Sequence, residues 1–190
     1  MTRIIAGAAR GRRLTAPAGT RTRPTSDRAR EGLFATITAV HGPFAGAGVL
    51  DLYAGSGAVG LEALSRGAAR ALLVESDPVA ARVIRANIAA VGLPGARLVT
   101  GRVATVLAGR PGPGPGFDVV VADPPYATGE QEITEMLAAL RAGGWLAGGA
   151  LVAVERASRS GPVAWPAGYA PDRSRRYGEA TFWYGLAAGI

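Results

Sequence analysis

Cysteine and lysine are both missing from the 190 residues, and His41 is the only histidine. Without cysteine there is no disulfide framework, no thiol nucleophile and no thiolate zinc site, and one histidine all but excludes an imidazole triad or metal cluster. No metal is expected. Chemistry on this chain must use carboxylates, backbone groups or a cofactor. Long apolar runs are scarce as well: charge or glycine interrupts each of them before the length a membrane helix needs, and Ile4 to Ala9 is too short for a signal-peptide core. A soluble, cytoplasmic protein with no membrane partner is expected, acting as a monomer. At this length one domain can bury roughly 70% of its unfolded surface without a staple.

All 21 basic residues are therefore arginine, a bias that partly reflects genome composition. Their placement is more telling than their type. Residues 1–30 hold Arg3, Arg10, Arg12, Arg13, Arg21, Arg23, Arg28 and Arg30 against Asp27 alone, which accounts for the whole net charge of +7. A compact basic segment beside a neutral body is the footprint of a polyanion-binding protein, although a merely solvated basic arm has the same composition. The chain divides on this basis into a basic extension, residues 1–25, and a body, residues 26–190.

Residues 3–15 read as a small hairpin or an extended arm, and 19–25 as a polar linker. A helix follows, capped by Ser26, with Leu33, Phe34, Ile37 and Val40 on one face; His41 falls in the loop that ends it. Strands are predicted at 48–54, 70–75, 96–100, 117–122 and 149–156, alternating with helices at 57–67, 77–92, 103–107 and 129–144. Leu61 and Leu64 face inward on the first of these helices. On the second, Val79, Val83, Ile84, Ile88 and Val91 make the buried stripe and Asn87 faces away from it, in a capping or packing role. Apolar strands alternating with helices imply a doubly wound, mostly parallel α/β sheet of Rossmann-like type. Residues 173–185 add an antiparallel hairpin around Gly178 and Glu179, with Arg173, Arg175 and Arg176 exposed on it; Trp145, Trp165 and Trp183 read as core or edge packing. Residues 109–116, rich in proline and glycine, are a loop.

Two motifs carry chemistry. Gly55, Gly57 and Gly60 form a G-x-G-x-x-G between strand and helix, a pattern that lets backbone approach a ligand at a helix N-terminus and is weak by itself. Glu75 ends the next strand, where a carboxylate can accept from both ribose hydroxyls of a nucleoside cofactor. Asp51 chooses between cofactors: a carboxylate four residues before the glycines would repel pyrophosphate but suits the ammonium and sulfonium of S-adenosylmethionine. The second motif, Asp123-Pro124-Pro125-Tyr126, follows an apolar strand at the same sheet edge. The Asp123 carboxylate and Pro124 carbonyl can accept both hydrogens of an exocyclic amine, while the prolines fix the turn and remove competing donors. Holding both N–H bonds moves a delocalised nitrogen toward a tetrahedral nucleophile. Tyr126 would stack on the base, a contact worth about 1–3 kcal/mol.

The segments RIIAGAARGRRL, RPTSDRAREGLF, DLYAGSGAVGLEALSRGA, VVVADPPY and YGEATFWYG together resemble the bacterial RsmD family of 16S rRNA guanine-N2 methyltransferases. The resemblance implies a class I S-adenosylmethionine-dependent methyltransferase domain, no metal, and transfer to the N2 of the guanine named as position 966, in the small ribosomal subunit or its assembly intermediate. It assigns the cofactor to Asp51, Tyr53, Gly55, Ser56, Gly57, Gly60, Glu75 and Ser76; the sequence departs from the acidic or amide residue that many such enzymes place after the third strand, reading Thr100, Gly101, Arg102, Val103, so backbone groups of Arg102 and Val103 are expected toward the adenine. Catalysis falls to Asp123, Pro124, Pro125 and Tyr126. RNA contacts are expected from the basic start of the chain, at Arg3, Arg10, Arg12, Arg13, Arg21, Arg23 and Arg28. Two other readings use the same residues: an N6-adenine methyltransferase on DNA or RNA, and a nonenzymatic RNA-binding assembly factor.

Overall fold

The structure, a computed structural model, describes residues 2–17 and 26–189. In chain order it comprises β1 (Thr2–Arg3), β2 (Arg13–Leu14), α1 (Asp27–His41), β3 (Gly48–Leu52), α2 (Ala58–Ser65), β4 (Arg70–Glu75), α3 (Pro78–Val91), β5 (Ala96–Thr100), α4 (Val103–Leu107), β6 (Phe117–Ala122), α5 (Glu130–Ala142), β7 (Leu146–Ala157), β8 (Tyr169–Tyr177) and β9 (Ala180–Ala187). Strands β3 to β9 form one sheet in the order β5-β4-β3-β6-β7-β9-β8. The first five are parallel, and the β8–β9 hairpin enters antiparallel beside β7, as its turn at Gly178 and Glu179 predicts.

Strand order reverses between β3 and β6, which opens a crevice outside their carboxyl ends. Both of those ends carry one of the two motifs. Cores lie on both faces of the sheet. One packs Leu33, Phe34, Leu61 and Ile84 against Val49, Leu73 and Val121; the other packs Leu107, Leu137 and Trp145 against Leu50, Val74 and Val120. Their alternation along each strand explains why the strands read as continuous apolar runs. No helix among the described residues is long and apolar enough to cross a membrane.

Several local expectations need correction. Strand β3 stops at Leu52, two residues early, because Tyr53 turns to φ 60°, where a strand cannot continue. Strand β7 starts earlier and is longer, absorbing a register shift against β6 with Gly149 at φ 76°. His41 closes α1 instead of lying in a loop. Helix α3 is rotated from its expected stripe: Val79 is 41% exposed beside the Asp77 cap, and Asn87 is 2% exposed. Ala80, Ala81, Ile84 and Val91 make the buried face, and Asn87, three residues after Ile84, falls on it.

The basic start of the chain does not hang free. β1 and β2 pair, and Ile4, Ala9 and Leu14 enter the same core as α1 and α2. The boundary expected at residue 25 lies outside the described residues.

Candidate active site

The glycine loop is built from three different requirements. Gly55 and Gly57 take φ of 58° and 77°, conformations that side chains rarely adopt. Gly60 is inside α2, where a Cβ would stand 3.0 Å from Leu73 and 3.3 Å from the Asp51 carboxylate. That closeness serves a bond: the Gly60 amide donates to Asp51 Oδ2 at 2.9 Å. Asp51 is 3% exposed, and burial above all pushes its pKa from 3.8 up to about 8; the Gly60 bond opposes this, and the charges of Asp123 and Glu75 add to it. Three carboxylates therefore feel one another at the ends of β3, β4 and β6.

Glu75 holds the loop from the neighbouring strand. Its two oxygens accept from the Gly55 amide at 2.8 Å and the Asp77 amide at 2.8 Å, so one side chain joins the glycine turn to the start of α3. Ser76 is exposed between them, and Ser56 is half-buried with its carbonyl accepting from Asn87. Tyr53 is half-buried and is the one non-glycine residue at positive φ among those described, a strained backbone placed at the crevice. Across the crevice, Arg102 is exposed at the N-cap of α4 and Val103 is buried beneath it; the Gly101 amide donates to the Glu75 carbonyl, keeping this wall next to β4.

The Asp123 amide donates to the Leu52 carbonyl at 3.3 Å, which brings the second motif directly beside Tyr53 and the loop. Asp123 is half-buried, Pro124 buried, Pro125 exposed, and Tyr126 50% exposed. A ring that large and that open is available to another flat surface. Its hydroxyl hydrogen-bonds the side chain of Glu155; partial burial, then the charges of Glu155, Asp123 and Glu179, push its pKa up and keep it a donor. Glu155 is a residue the motifs do not reveal. It is 4% exposed on β7, one position past Val154, which pairs with Ala122 just before Asp123. A lone acid in an otherwise apolar strand was the available signal.

The predicted basic contacts separate into groups. Arg3, Arg10, Arg12, Arg13 and Arg28 are exposed, and Arg21 and Arg23 lie outside the described residues. Arg12 also donates to the Ala90 carbonyl of α3 at 2.7 Å. Arg30, counted in the basic excess, is 1% exposed and points inward, bonding Thr2, Asp27 and the Arg3 carbonyl. It shares Glu62 with Arg66, at 4.0 and 2.8 Å. Glu62, fully buried on α2, also accepts from the Ile5 and Ala6 amides at 2.7 and 3.0 Å, and Ser65 accepts from the Ala9 amide at 2.9 Å. The hairpin is thus clamped to α2, and its exposed arginines stand on a fixed base. Among the described residues no cluster of histidine and acidic side chains is arranged to hold a metal ion.

The family model described as "Conserved hypothetical protein 95" matches residues 2–185. The protein named Ribosomal RNA small subunit methyltransferase D of Escherichia coli is 39% identical over 180 residues, covering 95% of this chain and 87% of that one. The solved structure of the Escherichia coli yhhF protein superposes with a TM-score of 0.85 at 37% identity, covering 100% of this chain and 99% of that one. At 13% identity, SMU.776, solved in complex with SAH, shares the fold with a TM-score of 0.67 over 81% of this chain and 48% of its own. The doubly wound sheet with its antiparallel last hairpin is accordingly the class I S-adenosylmethionine-dependent methyltransferase fold. By the match over nearly its whole length and the identity across it, the chain belongs to the Conserved hypothetical protein 95 family, that of the small-subunit rRNA methyltransferases D, or RsmD.

Proposed function

We propose that this chain transfers a methyl group from S-adenosylmethionine to the exocyclic N2 of a guanine in 16S rRNA, the guanine of position 966, within the small subunit or its assembly intermediate. The observation that carries the reading is the convergence of Asp51, Glu75 and Asp123 on one crevice, with Asp51 buried enough to be held near pKa 8. Such a site disfavours phosphate and favours a cation, and the glycine loop leaves room beside it: a Cβ on Gly55 would meet nothing nearer than 4.0 Å. S-adenosylmethionine fits that donor set, and when bound it supplies an electrophilic methyl group on a sulfonium.

The chain's own residues do the rest. Asp51 and the 55–60 loop hold the amino-acid end, and Glu75, already accepting two amides, turns toward the ribose hydroxyls. The Asp123 carboxylate and Pro124 carbonyl accept the two N–H bonds of the guanine amine and aim its lone pair at the methyl carbon. Positioning of this kind, without a strong base, supplies much of the acceleration. The proton leaves after the nitrogen has become cationic, with Asp123 as the nearest acceptor. Tyr126 stacks on the base, held upright by its bond to Glu155, and the exposed arginines of the hairpin grip phosphates.

Mass mapping of 16S rRNA after incubation of unmodified small subunits with the protein and labelled cofactor tests this. One N2-methylguanine is expected; N6-methyladenine would replace the reading with adenine methylation, and cofactor binding without transfer would leave an assembly factor.

A further inference from the structure

Asn87 joins the two halves of the proposed site. Its Oδ1 accepts from the Thr15 amide at 2.9 Å, and its Nδ2 donates both hydrogens, one to the Thr15 carbonyl at 2.9 Å and one to the Ser56 carbonyl at 2.9 Å. It is 2% exposed in the middle of α3. A buried amide with both donors and an acceptor committed has one available orientation, because any rotation leaves a buried polar group unpaired. One partner is the strand end that follows Arg12 and Arg13. The other is the residue between Gly55 and Gly57, both of which are in left-handed conformations that the loop must hold to receive a ligand. The connection is doubled nearby: Arg12 reaches the Ala90 carbonyl on the next turn of the same helix.

These contacts put the hairpin and the glycine loop on one rigid element. We propose that Asn87 is a positioning residue that couples them, so that RNA held by the hairpin and cofactor held by the loop strengthen each other's binding. This rests on the function proposed above. Phosphate contacts at Arg10 and Arg13 oppose local opening of the Thr15–Asn87 bonds, and the Asn87 amide so retained keeps the Ser56 carbonyl, and with it the loop, in place. Coupling of binding free energies is reciprocal, so cofactor must tighten RNA by the same factor.

The test is a thermodynamic cycle with S-adenosylhomocysteine, which binds without turnover, and small subunits carrying unmodified 16S rRNA. Calorimetry gives the cofactor-product affinity of the free protein, and competition with labelled S-adenosylhomocysteine gives it on the subunit. The wild-type protein is expected to bind it about five-fold or more tighter on the subunit, within the usual range of coupling. Asn87→Ala and Asn87→Asp, the second of which keeps the acceptor for Thr15 and loses both donors, should bring that ratio toward one. A general loss of stability would weaken both affinities and leave the ratio intact, so the ratio separates coupling from mere packing. A wild-type ratio of one overturns the proposal even if neither variant folds, and so does an Asn87→Asp protein that keeps the wild-type ratio. Absence of S-adenosylhomocysteine binding to the wild type, or of methyl transfer to the subunits, would instead overturn the function itself. A ratio of one with transfer intact would reject only the coupling.

Discussion

Asp51 and Gly60, nine residues apart, meet at 2.9 Å where strand β3 faces the first turn of α2, and the bond is sealed from solvent on both sides. With its pKa near 8, the Asp51 carboxyl of the free protein carries a proton at neutral pH and gives it up when a cation takes its place. Cofactor affinity should rise from about pH 6 toward 8, with a proton released on binding in that window. Calorimetry in two buffers of different ionisation enthalpy would count the proton. Asp51→Asn should lose about tenfold or more in affinity, and the pH dependence with it.

Protein stability should move the other way with pH. The unfolded Asp51 loses its proton near 3.8 and the folded one near 8, so between those values the folded state binds more protons. This group's contribution to stability therefore falls as pH rises through that window. Urea midpoints of wild type and Asp51→Asn should diverge most at its alkaline end; parallel curves would place the carboxyl in an ordinary environment.

Asp123→Ala removes an acceptor aimed at the reacting amine. Transfer should slow on the order of 10²–10³-fold while cofactor affinity holds, as when other enzymes are stripped of one hydrogen bond to the transition state. Single-turnover kinetics would read this. Tyr126→Phe keeps the ring and should retain transfer, whereas Tyr126→Ala should cost about 1–3 kcal/mol in substrate binding. Equal effects of the two would assign the hydroxyl, and not the ring, to the reaction.

Arg10→Ala with Arg13→Ala should weaken binding to 16S rRNA and reduce the slope of log K against log salt by about 0.7–0.9 for each phosphate no longer neutralised. Arg12→Ala should change the slope less and lower the melting temperature more, because its guanidinium also bonds Ala90. Filter binding over a salt series and thermal melting separate the two effects.

Glu62→Ala should destabilise the fold by about 3–5 kcal/mol, the cost of leaving buried partners without their counter-charge. Denaturant unfolding measures it; a change of less than about 1 kcal/mol, the scale of an exposed ion pair, would show that the amides of Ile5 and Ala6 find water instead.

The centre of the sheet was legible because β3, β4 and β6 are buried apolar runs that stop at the glycine loop, at Glu75 and just before Asp123. The second strand, from Arg70, the third, from Ala96, and the fourth, from Phe117, match the structure residue for residue. The Ser26 cap was legible too, and its hydroxyl accepts from the Ala29 amide at 3.1 Å. What stayed hidden lies in contacts between distant segments. Arg30 counts toward the basic excess by composition, whereas its place in the interior depends on Thr2, the Arg3 carbonyl and Glu62, the last 32 positions on. Asn87 sits at helical spacing from Ile84 and Val91, but polarity alone argued it outward, since its partners are 72 and 31 residues away. Glu155 gave no motif because its neighbour Tyr126 approaches from the turn after another strand.

Glu62 and Ser65 hold the Ile5, Ala6 and Ala9 amides across separations of 56 and 57 residues. During synthesis, then, the first segment of the chain emerges long before its seat exists. The arginines beside those amides take their fixed spacing from bonds to the helix that bears Glu62. The seat of the basic face is thus a long-range contact, and a newly made chain can present that face in its clamped form only after Glu62 and Ser65 have been added.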